Sequence, residues 1–281
     1  MYFNNADSLI VAQQDIGLSE GRRIKLNTLK FQSRGGLEIT GYFCCPITEK
    51  KIPCIVVASA GIHGSFFRKS TKSFDDFHLK WCWYLSQNNV ATLYIDKRGS
   101  YGYGEGFQAL NEIGGREVDD IAIGASKLLA CDYIDPKGIY GYGTCRMSVT
   151  FILAELKYSL FKGLFLVSGV YDIKRQLASM EEKYRKELLG KYLFEDFPYE
   201  QRSPIYLTSS IKPGLPLLLV HGKDDGIVLA EQSVEFYQQL RQTHKKVQLV
   251  QLPELEHTRA ASDPDMPSGK KILELLLDFV R

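Results

Sequence analysis

Apolar and polar positions alternate with a partial period of two in Ile24 to Phe31 and again in Leu37 to Phe43, with Ser33-Arg34-Gly35-Gly36 between them. That pattern predicts an antiparallel hairpin. Downstream the alternation gives way to short continuous apolar runs. Cys54-Ile55-Val56-Val57-Ala58 and Val90 to Ile95 read as strands buried on both faces. Between those runs the period changes to that of a helix. Phe74, Phe77, Trp81 and Leu85 share one face over Phe74 to Leu85. A second face carries Val118, Ile121, Ala122, Ala125, Leu128 and Leu129.

The same rhythm continues to the end. Ile139 to Tyr142, Leu164 to Val167, Leu217 to Val220 and Val247 to Leu252 read as strands. Met147 to Leu156, Glu231 to Leu240 and Lys270 to Val280 read as helices. Alternation of this kind predicts an α/β fold with a mostly parallel sheet of eight strands and helices on both faces. Tyr171 to Pro204 breaks the rhythm with a run rich in Tyr, Glu, Lys and Leu, which reads as a short helical cap inserted over the site. With no linker and no internal repeat, residues 1–281 read as one domain.

Charge alters this picture little. Lys and Arg number 35 against 33 Asp and Glu, a net charge of +2. That balance gives no reason to expect nucleic acid or an anionic membrane as a partner. The run Leu9-Ile10-Val11-Ala12 is too short for a signal core or a membrane span, so a cytoplasmic protein is expected. The pattern does not exclude a homodimer. None of the six cysteines (Cys44, Cys45, Cys54, Cys82, Cys131 and Cys145) forms a CxxC pair or a zinc-spaced cluster. Free thiols, no metal and no cofactor are therefore expected.

Three residues follow predicted strands, where open α/β sheets build their sites. Cys145 lies at a strand-to-helix turn in Gly143-Thr144-Cys145-Arg146-Met147, with Gly143 as the small residue a sharp turn requires. The N–H groups of the helix behind it would favour thiolate. Asp225 follows Leu217 to Val220, with Asp224 as a rival, and His257 follows Val247 to Leu252. The order nucleophile, acid, histidine is that of the α/β-hydrolase triad. Thiol, imidazole and carboxylate together make an activated nucleophile.

On these residues the chain resembles the catalytic domain of the prolyl oligopeptidase family, and more loosely the dienelactone hydrolases. The likeness is carried by Asp96-Lys97-Arg98-Gly99-Ser100-Tyr101-Gly102-Tyr103-Gly104, Asp135-Pro136-Lys137 and the elbow. Arg202-Ser203-Pro204, His221-Gly222 with Asp225, and His257 complete it. The resemblance implies an α/β-hydrolase fold over roughly residues 24 to 280; the β-propeller that many such peptidases carry is not among them.

The elbow admits two registers. In one, Gly143 falls in the nucleophile's slot and the protein is inert. In the other, counted from Asp135-Pro136 without a gap, the slot holds Cys145, and this register is preferred. Two departures from the family pattern then follow: cysteine replaces serine, as in dienelactone hydrolases, and Met147 replaces the final glycine. The resemblance implies an oxyanion hole formed by the backbone N–H of Arg146 and a donor from Ser59-Ala60-Gly61-Ile62-His63-Gly64. Ile62 is the expected second donor, with Gly61 next.

Other positions carry weaker signals. His63 reads as a solvated loop residue, with substrate contact as the alternative, and the Arg146 side chain is a candidate grip on a substrate carboxylate. His221 is expected to shape its turn, and Asp96 and Arg98 to brace loops. Tyr101, Tyr103 and Phe107 line either the pocket or the core. His78 and His244 sit in polar surroundings and receive no role. The function expected from these residues is a Cys145-dependent hydrolase acting on a small-molecule acyl substrate (ester, thioester or lactone) through a thioacyl intermediate, by hydrolysis or acyl transfer. The alternatives are a peptidase of the prolyl oligopeptidase type, or a hydrolase fold kept as a non-catalytic scaffold.

Overall fold

The structure is a computed structural model that describes residues 10–18, 21–68, 73–74, 76–243, 246–257 and 263–281. In chain order the strands are β1 (Ile10–Gly17), β2 (Arg23–Gln32), β3 (Glu38–Cys44), β4 (Ile52–Val57), β5 (Phe67–Arg68), β6 (Ser73–Phe74), β7 (Ala91–Asp96), β8 (Ile134–Thr144), β9 (Gly163–Val167), β10 (Leu217–Gly222) and β11 (Val247–Leu252). Nine of them form one sheet in the order β1-β2-β3-β7-β4-β8-β9-β10-β11, while β5 and β6 pair separately. From β7 to β11 every pairing is parallel, and β1, β2 and β3 pair antiparallel at one edge.

The expected eight strands are therefore nine. The addition is β1, which runs antiparallel along β2 from Ile10 to Gly17. Its residues Val11 to Asp15 are exposed, so an edge strand with almost no buried side has no alternation to betray it.

Helices cover both faces. On one face α3 (Glu117–Lys127), α4 (Met147–Tyr158) and α8 (Ala230–Thr243) pack Ile121, Phe151 and Phe236 against Leu93, Val56 and Leu164. On the other face α1 (Asp76–Gln87) and α9 (Pro267–Val280) pack Leu85, Leu276 and Ile272 against Ile55, Phe165 and Val220. The interior strands are buried along their whole length, as β7, β9 and β10 show, which is why they read as unbroken apolar runs. A short helix, α2 (Glu105–Gln108), precedes α3.

Residues 171–204 contribute α5 (Ile173–Ala178), α6 (Glu182–Leu189) and α7 (Tyr199–Arg202). They close a third apolar cluster around Ile173, Leu177, Leu188, Phe197 and Tyr199, and Cys145 and Ile62 pack against it. The insertion thus lies over the carboxyl end of the sheet, on the side where β8 delivers Cys145. Among the described residues no helix is long and apolar enough to cross a membrane.

Candidate active site

Strand β8 ends at Thr144, and α4 begins at Met147. The two residues between make the turn, and Cys145 takes it at φ +52°, in the left-handed region that non-glycine residues avoid. Its backbone is pinned on both sides. The Cys145 N–H donates to the Val167 carbonyl at 3.0 Å, and its carbonyl accepts from Ser148 at 3.1 Å and Val170 at 3.2 Å. Gly143 is required two residues earlier, because a Cβ there would stand 3.0 Å from the Met147 carbonyl oxygen. The residue with positive φ in this turn is Cys145. Met147 is fully buried in the main core, in the same cluster as Phe151.

Asp225 follows β10 and is buried, while its rival Asp224 is exposed. Asp225 Oδ1 accepts the backbone N–H of Ile227 at 2.9 Å and Val228 at 3.0 Å, which locks the carboxylate in its turn. His257 Nδ1 donates to Asp225 Oδ2 at 2.8 Å, and the Cys145 thiol lies close enough to influence the charge of the ring. His221, fully buried, approaches the same oxygen of the acid. Its Nε2 lies 3.3 Å from Asp225 Oδ2 and 2.9 Å from the Val228 carbonyl, while Nδ1 bonds Ser233 at 2.6 Å. His221 thus shapes its turn and touches the acid as well.

The electrostatics follow from these contacts. Burial alone would lift the Asp225 carboxyl. Hydrogen bonds from His221, His257 and the Val228 and Ile227 amides outweigh it and hold the group well below the usual carboxylate range. Burial likewise works against a charged His257, yet its bonds to Asp225 and then Cys145 prevail and raise it to about 9.

The loop after β4 carries Gly61 at φ +86° and Ile62, half-buried against the insertion. Gly64 lets this loop fold on itself, since a Cβ there would overlap the Ala60 carbonyl oxygen. A cleft of about 580 Å³ opens beside His257, lined by Asp224, Ile227, Glu254 and Glu256. Among the described residues no group of three or more His, Cys, Asp or Glu is placed to hold a metal ion.

Several expectations are corrected. The Arg146 side chain does not face a substrate carboxylate: it is buried, with Nη2 2.7 Å from Glu117 Oε2. His63 is not a solvated loop residue. Its Nδ1 bonds the Gly99 carbonyl at 2.6 Å, and its Nε2 lies 3.8 Å from Glu187 on α6. His78 stacks on Phe66 and lies against Tyr94, an apolar setting rather than a polar one. His244 lies outside the described residues. Tyr103 donates to Asp96 at 2.9 Å and braces the loop that also bonds Ser65, while Tyr101 is exposed. Arg98 pairs with Asp120 through Nε at 2.9 Å and Nη2 at 2.7 Å, a fork that ties the strand end to α3.

Two residues of the site's surroundings went unread in the sequence. Glu117 and Lys97 are fully buried, with Lys97 Nζ 3.4 Å from Glu117 Oε2. The one available signal is Arg146, a cation at a turn position that the fold buries and that therefore needs an acid.

Comparison with known proteins bears on this geometry. The model of the prolyl oligopeptidase family matches residues 75–280. A relative from Bacillus subtilis (strain 168), the uncharacterized peptidase YuxL, is 23% identical over 250 residues, 82% of this chain and 35% of its own length. Acylaminoacyl peptidase from Pyrococcus horikoshii superposes with a TM-score of 0.76 at 23% identity, over 91% of this chain and 41% of that one. A puromycin-hydrolyzing peptidase of Mycobacterium tuberculosis gives 0.74 at 18%, over 93% and 42%. The chain thus spans less than half the length of these proteins. The matches are to peptidases. They overturn the reading of a cysteine esterase, thioesterase or acyltransferase for small esters, thioesters and lactones.

Proposed function

The chain belongs to the prolyl oligopeptidase family, and from that membership we propose that it hydrolyses peptide bonds, with Cys145 standing where the family carries its serine. The observation that carries this reading is the position of His257. The ring is held by Asp225, and the thiol of a strained elbow residue, Cys145, lies near enough to raise its charge state.

On this reading each residue takes one part in the reaction. With Nδ1 engaged by Asp225, Nε2 is the ring nitrogen left to serve the sulfur. Thiolate attacks the peptide carbonyl while the ring carries the proton, and the oxyanion forms against the Arg146 and Ile62 backbone N–H groups. An amine leaves poorly unless protonated, and a histidine raised to about 9 holds that proton at neutral pH. Water then releases the acyl group, with the ring acting as base. The carboxylate keeps the imidazole in the tautomer this sequence requires.

The relatives point to substrates worth testing first. Acylaminoacyl and aminoacyl anilides report peptide-bond cleavage as absorbance. Purified protein should release the aniline, and Cys145→Ala should not. Hydrolysis by neither would leave the fold as a scaffold.

A further inference from the structure

One charged group beside the site has no part in the triad. Glu117 begins α3 and has no exposed surface. Its Oε1 accepts from the Thr150 hydroxyl at 2.7 Å and the Gly114 N–H at 3.1 Å. Its Oε2 faces Arg146 Nη2 at 2.7 Å and Lys97 Nζ at 3.4 Å. Two cations therefore share one buried carboxylate. A guanidinium carries five donors in a fixed plane and is not satisfied by one carboxylate oxygen. Arg146 extends past Glu117 to a second acceptor, the Gly61 carbonyl, 3.4 Å from Nη1.

The two ends of that side chain matter. Arg146 directly follows the nucleophile and supplies the assigned first oxyanion donor. Gly61 directly precedes Ile62, the assigned second donor. These donors lie on separate segments, one after β8 and one after β4. Gly61 adopts φ +86° in a loop with little regular structure, so its peptide plane has freedom to turn. An oxyanion hole is effective in proportion to how little its donors must reorganise.

We propose that the Arg146 guanidinium, fixed by Glu117, is a positioning residue that ties the Gly61-Ile62 segment to the elbow and so sets the spacing of the oxyanion donors. The proposal rests on the reading of Cys145 as the nucleophile on a peptide carbonyl. The 3.4 Å contact is long for a hydrogen bond and is of the kind that tightens once a substrate carbonyl occupies the hole.

Arg146→Met suits the test, because Lys97 still faces Glu117 when the guanidinium is gone and the buried charge stays paired. Two reactions of Cys145 are compared in the full chain. Hydrolysis of an acylaminoacyl anilide passes through an oxyanion. Alkylation by iodoacetamide forms a C–S bond and expels iodide, with no oxyanion. In Arg146→Met, kcat should fall about 10- to 100-fold with KM within about twofold, less than the roughly 10²- to 10³-fold for losing an oxyanion donor outright, because the donors are displaced and not removed. Alkylation should hold within about twofold, and Arg146→Lys should recover part of kcat. An unchanged kcat, or equal falls in kcat and alkylation, overturns the proposal. Hydrogen exchange tests it without turnover, and so separates its failure from that of the peptidase reading. Amides of residues 59–64 should exchange faster in Arg146→Met while those of α4 do not, and unchanged exchange in that loop overturns it.

Discussion

The Asp225 carboxylate receives the Nδ1 proton of His257 at 2.8 Å while His221 approaches the same oxygen at 3.3 Å. One acid thus serves two histidines, of which one faces the thiol and the other is sealed in the core. A division of labour follows. His257→Ala removes the proton carrier and should lower kcat roughly 10²- to 10⁴-fold. Asp225→Asn keeps the ring but loses its orientation, and should cost less. The double variant should be no worse than His257→Ala alone, because the residues act as a unit. Steady-state kinetics on one anilide decides the order.

The same pair sets a pH dependence of stability. His257 is raised in the folded protein from 6.5 to about 9. Its contribution is therefore fully present below about 6.5 and is lost as pH rises through about 9. The stability difference between the wild type and His257→Gln, measured by urea unfolding, should shrink across that window. A difference that stays constant or grows would show that the ring is not held charged.

Gly143 sits under the elbow against the backbone of Met147 and Ser148 at the start of α4. A Cβ there would lie 3.0 Å from the Met147 carbonyl oxygen and 3.1 Å from Ser148 Cα. Backbone atoms cannot swing aside as side chains do, so Gly143→Ala should cost about 1–3 kcal/mol by overpacking. It should also displace Cys145. Chemical denaturation and kcat should both register the change.

The buried Lys97–Glu117–Arg146 group depends on its one acid. Glu117→Gln would leave two cations without a counter-charge, and a buried pair broken on one side loses about 3–5 kcal/mol. A midpoint shift of that size is expected in urea. Arg146→Met should lose less, because it leaves one cation facing one carboxylate.

The insertion has a small apolar core of its own, in which Leu177 and Ile173 are fully buried. Leu177→Ala should cost about 2–4 kcal/mol, within the range for buried leucine truncation. If α5–α7 govern access to Cys145, that loss should appear as faster hydrogen exchange in residues 173–202 and as weaker discrimination between short and long peptides. Exchange raised throughout the sheet would instead make the insertion part of the main core.

The parallel strands were legible because burial on both faces writes an unbroken apolar run, as in Leu217 to Val220. Strand β1 was not, since Val11 to Asp15 face solvent and carry no pattern. Cys145, Asp225 and His257 each follow a strand, and the structure sets His257 against Asp225 with the Cys145 thiol near the ring. Glu117 and Lys97 were opaque for a physical reason. Amphipathic periodicity places a charged residue on a helix or loop surface, and only tertiary packing reveals that the Arg146 guanidinium lies within reach of the Glu117 carboxylate. The small-ester reading followed the thiol and the likeness to dienelactone hydrolases, whereas the family match favours the peptidase alternative.

The central claim is that Cys145 is the nucleophile for peptide-bond cleavage. The direct measurement is the rate of anilide release from an acylaminoacyl anilide by the wild type and by Cys145→Ala, with folding of both checked by circular dichroism. Wild-type turnover should fall on the order of 10³-fold or more in the variant, as for loss of a triad nucleophile. A folded Cys145→Ala protein that cleaves the anilide at the wild-type rate would contradict the account.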